Sequence, residues 1–231
     1  LKEETTSKME HSIGVPMQII EKIEDVNVKN NFLESIKILE KNGFKTKQIE
    51  LPFLEYSLPS YYVIAPAECS ANLSRYDGIK FGYRCDNPKD LEDLYVRTRS
   101  EGFGEEVKKR ILIGTYCLSA GYFDAYYIKA QKIRAMITES FKNAFKDVSV
   151  IAMPTCSNGA FELGSIQDPV KMYEQDIYTI PANLAGLPAI SIPSGNTEEM
   201  PLGLQFIGNH LEEGKILNIS HQFQKLTDHH V

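Results

Sequence analysis

Tryptophan is absent from these 231 residues, and so are adjacent glycines, adjacent serines and any G-x-S-x-G run. The last absence excludes the strand-to-helix nucleophile elbow of the α/β-hydrolases. No apolar stretch nears the ~18 residues that a membrane-spanning helix needs, and nothing at the N-terminus resembles a signal peptide. A soluble intracellular protein, cytoplasmic or organellar, without membrane contact is therefore expected. The four cysteines, Cys69, Cys85, Cys117 and Cys156, are far apart and form no C-x2-C pair, which argues against a zinc site. Cys69 and Cys117 sit among apolar neighbours on helical patterns and read as free buried thiols. His210, His221, His229 and His230 crowd toward the end of the chain without ligand spacing, so no metal is expected. A formal net charge of −6 supplies no general field to attract nucleic acid.

What is present is a 42% hydrophobic chain with balanced charge, long enough to bury a core as one domain over residues 1–231. Ile13–Pro16 reads as a strand. Val28, Phe32, Ile36 and Leu39 recur at spacings of four, four and three, which predicts a helix to about Asn42, ended by Gly43. Phe44–Leu51 alternates loosely as a strand would, completing a β-α-β unit of a mostly parallel sheet. From Leu54 to Gly78 the pattern turns helical, with a kink or split expected at Pro59 and Pro66. Asn87-Pro88 is placed to open another helix, with Asp90, Glu92 and Asp93 in its early turns. Helices over 105–120 and 122–145 follow, the second striped by Tyr126, Ala130, Ile133, Ile137 and Phe141. Val148–Met153 reads as a central strand and Leu202–Ile207 as another, before a closing helix marked by Ile216, Ile219, Phe223 and Leu226. The stretch between, Thr155–Pro169, reads as a loop. The class is α/β.

Four blocks are specific in residue order. Gln167–Gly195 reads QDPVKMYEQDIYTIPANLAGLPAISIPSG and packs an Asp-Pro break, a Tyr-rich helix carrying Asp176, a Gly-Pro turn and a strand at Ala189–Pro193. That strand is short and apolar, as one covered on both faces would be. Leu58–Arg84 reads LPSYYVIAPAECSANLSRYDGIKFGYR, Ser100–Lys132 reads SEGFGEEVKKRILIGTYCLSAGYFDAYYIKAQK, and Pro201–Gly208 reads PLGLQFIG. Together they resemble the C-terminal half of the amidase signature family, and within it the branch of glutamine-hydrolysing A subunits of tRNA-dependent amidotransferases. The fold implied is a mixed central sheet covered by helices. The resemblance also implies a catalytic lysine and two serines in a Gly/Ser-rich region upstream, so no catalytic residue is expected in this chain. The opening at Leu1 with the charged run LKEETTSKMEH likewise reads as a chain cut in mid-domain. By the same resemblance the chain would hold no cofactor. ATP and Mg²⁺ would belong to a partner B subunit, tRNA would be met mainly through B, and a small C subunit would wrap between the other two.

Three side chains are candidates for glutamine binding. Arg110 borders the apolar face defined by Val107, Ile111 and Gly114. Taken alone it is a solvated charge beside Lys108 and Lys109, but an arginine so placed can present its fork at a pocket rim. The resemblance implies a clamp on the α-carboxylate of glutamine, which a guanidinium grips through two parallel hydrogen bonds. Asp176 is the matching partner for the α-ammonium, against its plain reading as an acid favouring a helix dipole. Tyr61 would lie over the pocket, with Tyr62 in the core. Glu68 and Arg75, seven apart, share a helix face and would form a structural ion pair. Ser191 and Ser194 read as turn serines, with neither a glycine elbow nor a His or Lys partner in sight. Two other readings use the same residues: a hydrolase of simple or aryl amides, and an inactive chain that only docks to partner subunits. Paired charges at Arg110 and Asp176 argue against the first, since an apolar amide needs neither.

Overall fold

The computed structural model describes residues 12–166, 168–197 and 200–230. The charged run over residues 1–11 lies outside them. The chain divides into two compact units, one formed by the chain up to Leu58 together with Arg134 onward, the other by Pro59–Ile133.

The first unit is built on a mixed five-stranded sheet. Its strands are β1 (Ser12–Val15), β2 (Lys45–Gln48), β3 (Val150–Pro154), β4 (Ala189–Thr197) and β5 (Met200–Gly208), in the order β2-β1-β3-β5-β4. β1 runs parallel to β2 and β3, whereas β5 is antiparallel to β3 and β4. After a single turn of helix, α1 (Met17–Ile20), comes α2 (Val26–Lys41), which makes the expected β-α-β crossover. Asp25 caps α2 by accepting from the Asn27 and Val28 amides at 2.8 and 3.3 Å. Its buried face is Val28, Phe32, Ile36 and Leu39, each such side chain contributing roughly 1.5–3 kcal/mol. Gly43, at φ +92°, ends the helix. The Gly43 amide bonds the Glu40 carbonyl at 3.0 Å and the Phe44 amide bonds Leu39 at 3.2 Å, the pairing that left-handed glycine caps make. β3 is central and wholly buried, so it reads as an unbroken apolar run. The closing helix, α9 (Glu213–Leu226), buries Ile216, Ile219 and Phe223.

The second unit is helical. It takes most of α3 (Ser57–Asn72), all of α4 (Leu91–Gly102) and α5 (Glu105–Cys117), a π-helical turn over Phe123–Ile128, and the start of α6 (Lys129–Ala144). α3 runs unbroken through Pro66, so of the kink or split expected there, the split does not occur. Pro59 sits in the first turn, where its missing donor costs nothing, and Pro66 forfeits one backbone bond inside a well-packed stretch. Asn87 is left-handed at φ +48° and Pro88 precedes the helix that it was expected to open. Asp90 is the true N-cap, accepting from the Asp93 amide at 2.8 Å, while the Asp93 carboxylate accepts from the Lys89 amide at 2.9 Å. This reciprocal arrangement satisfies two otherwise open donors. Ahead of α6 the chain takes the π turn, leaving Tyr126 exposed, whereas Ala130, Ile137 and Phe141 of the same stripe are buried.

Other expectations also change. Cys117 is buried, but Cys69 is only half-buried. Glu68 accepts from the Tyr127 hydroxyl at 3.1 Å, and among the described residues it makes no ion pair with Arg75, which lies beyond α3 in the turn Leu73–Arg75. β4 is longer than expected and is not covered on both faces. Ala189, Ser191 and Pro193 are exposed while Ile192 and Ser194 are buried, so one face of β4 is open among the described residues.

α4 ends in a small ionic cluster. Glu101 accepts from the Tyr83 hydroxyl at 2.6 Å and from Arg97 Nε at 3.1 Å. The Tyr83 hydrogen bond, then that of Arg97, holds the Glu101 carboxyl below the ordinary glutamate range. A depressed folded-state pKa means that the unfolded chain binds the proton more readily. The stabilisation is present above the unfolded value and is lost as pH falls through the folded one. Glu101→Gln is expected to flatten the acid limb of a melting-temperature profile below the ordinary glutamate pKa, and to leave its neutral slope unchanged.

Candidate functional site

In the second unit the site begins with a glycine. Gly114 lies so close to α3 that an added Cβ would stand 1.9 Å from the Pro66 carbonyl oxygen and 2.4 Å from its carbon. Only the absence of a side chain lets the two helices approach this closely. One helical turn before Gly114 is Arg110, and one turn before Pro66 are Tyr61 and Tyr62. Arg110 lies within electrostatic reach of both tyrosines, whose rings pack edge to face with centroids 5.1 Å apart. Tyr62, expected in the core, is half-buried like Tyr61.

Arg110 is 40% exposed in its side chain and donates from Nε to Glu106 at 3.2 Å. Partial burial works to lower the guanidinium pKa, but the Glu106 hydrogen bond and the Tyr61 hydroxyl raise it above the usual arginine value, with smaller help from Tyr62. The group is thus a permanent cation. Because Glu106 takes Nε, the two terminal nitrogens are left to grip a carboxylate end-on. Sequence reasoning missed Glu106 as the group that orients Arg110, although its i,i+4 spacing was the available signal.

Asp176 belongs to the first unit. It does not ride on a helix, as expected, but in the turn between α7 (Pro169–Glu174) and α8 (Ile180–Ala185). Its carbonyl accepts from the Thr179 and Ile180 amides at 3.1 and 3.0 Å and from the Thr179 hydroxyl at 3.1 Å. The turn is pinned by its backbone, leaving the carboxylate exposed. Burial, then the Asp176 charge, pushes the Cys156 thiol up. Cys156 in turn lines a cavity of about 470 Å³ bordered also by Gln175, Thr155, Ser191, Asn158 and Phe161. Ser191 exchanges a 2.6 Å hydrogen bond with Thr155, and Ser194 donates to Asn31 at 2.7 Å. Both serines are thus tied to polar neighbours rather than to a base. Among the described residues no group of three His, Cys, Asp or Glu could hold a metal ion, and no helix is long and apolar enough to cross a membrane.

The structure therefore brings together Arg110 and Tyr61 in one unit, and sets Asp176 in the other on an exposed turn. Comparison with known proteins gives this arrangement its context. The A subunit of the glutamyl-tRNA(Gln) amidotransferase of Ruthia magnifica subsp. Calyptogena magnifica is 54% identical over 219 residues, covering 95% of this chain and 46% of that protein. Its counterpart from Hahella chejuensis is 54% identical over 220 residues. The chain thus spans about half the length of the curated relatives it matches. Among solved structures, the A subunit of the Thermotoga maritima glutamyl-tRNA(Gln) amidotransferase superposes with a TM-score of 0.74 at 38% identity, over 97% of this chain and 44% of that one. A bacterial aryl acylamidase of the amidase signature enzymes, 15% identical with a TM-score of 0.71, shares the fold. The sequence model of the Amidase family matches residues 2–217. The chain belongs to the amidase family.

Proposed function

We propose that this chain supplies the glutamine-recognising part of the glutaminase subunit of a glutamyl-tRNA(Gln) amidotransferase. The observation that carries this is Arg110. It is a permanent cation oriented by Glu106, set beside Tyr61 and Tyr62, with its two terminal nitrogens available. Its role is to clamp the α-carboxylate of glutamine, with Tyr61 over the ligand. Asp176 carries the opposite charge for the α-ammonium, so a free amino acid is selected over an arbitrary amide. High identity to two amidotransferase A subunits over 95% of the chain supports the same substrate.

The reaction is hydrolysis of the glutamine side-chain amide through an acyl-enzyme. A serine oxygen attacks the amide carbon, a lysine passes the proton through a second serine to the departing ammonia, and water then releases glutamate. The lysine and both serines are supplied by sequence outside these 231 residues, so the chain by itself is inactive. Its two units serve one amidase domain. The ammonia is delivered to a B subunit, which uses ATP and Mg²⁺ to amidate glutamate on tRNA(Gln), with a C subunit completing the cytoplasmic or organellar complex.

The test is ammonia release from glutamine by a chimera in which this chain replaces its matched counterpart in the Ruthia magnifica protein, assayed beside the chain alone. Activity in the chimera and none in the chain is expected. Ammonia release by the chain alone, or a chimera that cleaves aryl amides in preference to glutamine, would overturn the proposal.

A further inference from the structure

One stripe of α3 stays open and is polar at both ends. Tyr61, Ala65 and Glu68 follow one another at spacings of four and three, so they lie on one helix face. Tyr61 and Ala65 are half-buried and Glu68 is exposed, whereas Pro66 and Ala67 are buried. Ala65 contributes only a methyl between the tyrosine and the carboxylate, so α3 itself does not fill the middle of the stripe. Along the axis its ends stand about 10 Å apart.

Glu68 is held from the side. The Tyr127 hydroxyl donates to its Oε1 at 3.1 Å, and the Tyr127 ring stacks on Phe123 with centroids 5.3 Å apart. Both aromatics belong to the π-helical turn over Phe123–Ile128, a rare geometry that recurs at functional sites. No cation pairs with Glu68 among the described residues, so Oε2 keeps its capacity to accept.

We propose that Glu68 reads the side-chain end of bound glutamine, accepting an amide N–H through Oε2, with Tyr127 as the residue that positions it. This rests on the glutamine reading above, in which Arg110 holds the α-carboxylate and Tyr61 lies over the ligand. Arg110 is within electrostatic reach of Tyr61, at one end of the stripe, and Glu68 stands two turns along it. An extended glutamine with a hydrogen bond at each end spans an interval of this order. A carboxylate there does two things. Its attraction for the amide nitrogen grows as the C–N bond breaks and that nitrogen takes the proton relayed from the attacking serine, leaving as ammonia. It also repels the γ-carboxylate of the product glutamate. Substrate and product share the α-carboxylate and α-ammonium, so Arg110 and Asp176 cannot tell them apart. Glu68 can.

The test compares glutamine with glutamate γ-methyl ester in the Ruthia magnifica chimera. The ester keeps both α-groups and the acyl carbonyl but has no side-chain N–H to donate. Glu68→Ala is expected to lower kcat/KM for glutamine about 10- to 150-fold, the worth of a hydrogen bond to a charged group, and to leave the ester no poorer a substrate. It is also expected to lower the inhibition constant of glutamate about tenfold, because a like charge is gone. Glu68→Gln, which keeps the size and one accepting oxygen, should reproduce the fall in the glutamate constant with a smaller loss on glutamine. Tyr127→Phe should move both readouts in the same directions, by less. Equal losses on amide and ester, or an unchanged glutamate constant, would overturn the role of Glu68. Arg110→Ala separates the two proposals, since both substrates carry the α-carboxylate and both are expected to weaken. If neither weakens, the glutamine clamp fails and the role of Glu68 with it. If both weaken while Glu68→Ala spares glutamine, only Glu68 is displaced.

Discussion

Gly114→Ala is expected to lower the stability of the helical unit more than any other single-methyl change in it. The new Cβ would stand 1.9 Å from the Pro66 carbonyl oxygen and 2.9 Å from the Ala67 nitrogen. Both are backbone atoms that no rotamer change can move aside, so α3 and α5 must separate. Overpacking of a tight contact costs roughly 1–3 kcal/mol, occasionally more, and this contact belongs at the top of that range. Alanine is the better helix former by about 1 kcal/mol, which offsets only part of the loss. A second glycine checks the contact: Gly104→Ala, at the N-cap of α5 with nothing within 4 Å of its added Cβ, is expected to lower the melting temperature far less than Gly114→Ala. Equal effects at the two glycines would contradict the close approach of α3 and α5 at Gly114.

The second large effect concerns the clamp itself. In the Ruthia magnifica chimera, Arg110→Ala is expected to lower kcat/KM for glutamine by about 30- to 5,000-fold, the range that follows from truncating, at about 2–5 kcal/mol, one partner of a hydrogen-bonded charge pair that the bound ligand covers. Arg110→Lys keeps the charge and loses the planar fork, so it should recover only part of that loss. Glu106→Gln removes the charge that orients the guanidinium while leaving a hydrogen-bonding oxygen in place. Exposed i,i+4 pairs contribute only about 0.3–0.5 kcal/mol to stability, so its effect should appear in KM and not in the melting temperature. An Arg110→Ala chimera with unchanged kinetics would move the arginine back to an ordinary helix-surface charge.

Much of the architecture was legible because its signals are local. The β1-α2-β2 unit is spelled out by the spacing of Val28, Phe32, Ile36 and Leu39 and by Gly43 after them. The central position of β3 follows from an unbroken apolar run. β4 misled, since its short apolar core at Ile190–Ile192 looks the same whether one face or two is covered, and coverage depends on what packs against those faces from elsewhere in the chain. Pro66 misled only as to a split: a helix packed against Gly114 keeps its continuity through a proline. The site residues divide the same way. Arg110 at the border of an apolar stripe and Glu106 four residues earlier can be read from one helix. The placement of Asp176 in a turn depends on a backbone network through Thr179 and Ile180 that composition does not reveal. Gly114 did leave a trace, because a glycine inside a helix is costly unless another backbone needs its space.

The most direct measurement uses Asp176→Asn in the chimera with two substrates: glutamine, and the same molecule lacking its α-amino group. Recognition of the ammonium by Asp176 requires a large fall in kcat/KM for glutamine and almost none for the desamino compound. Equal falls for both substrates, or no fall for either, would contradict the clamp.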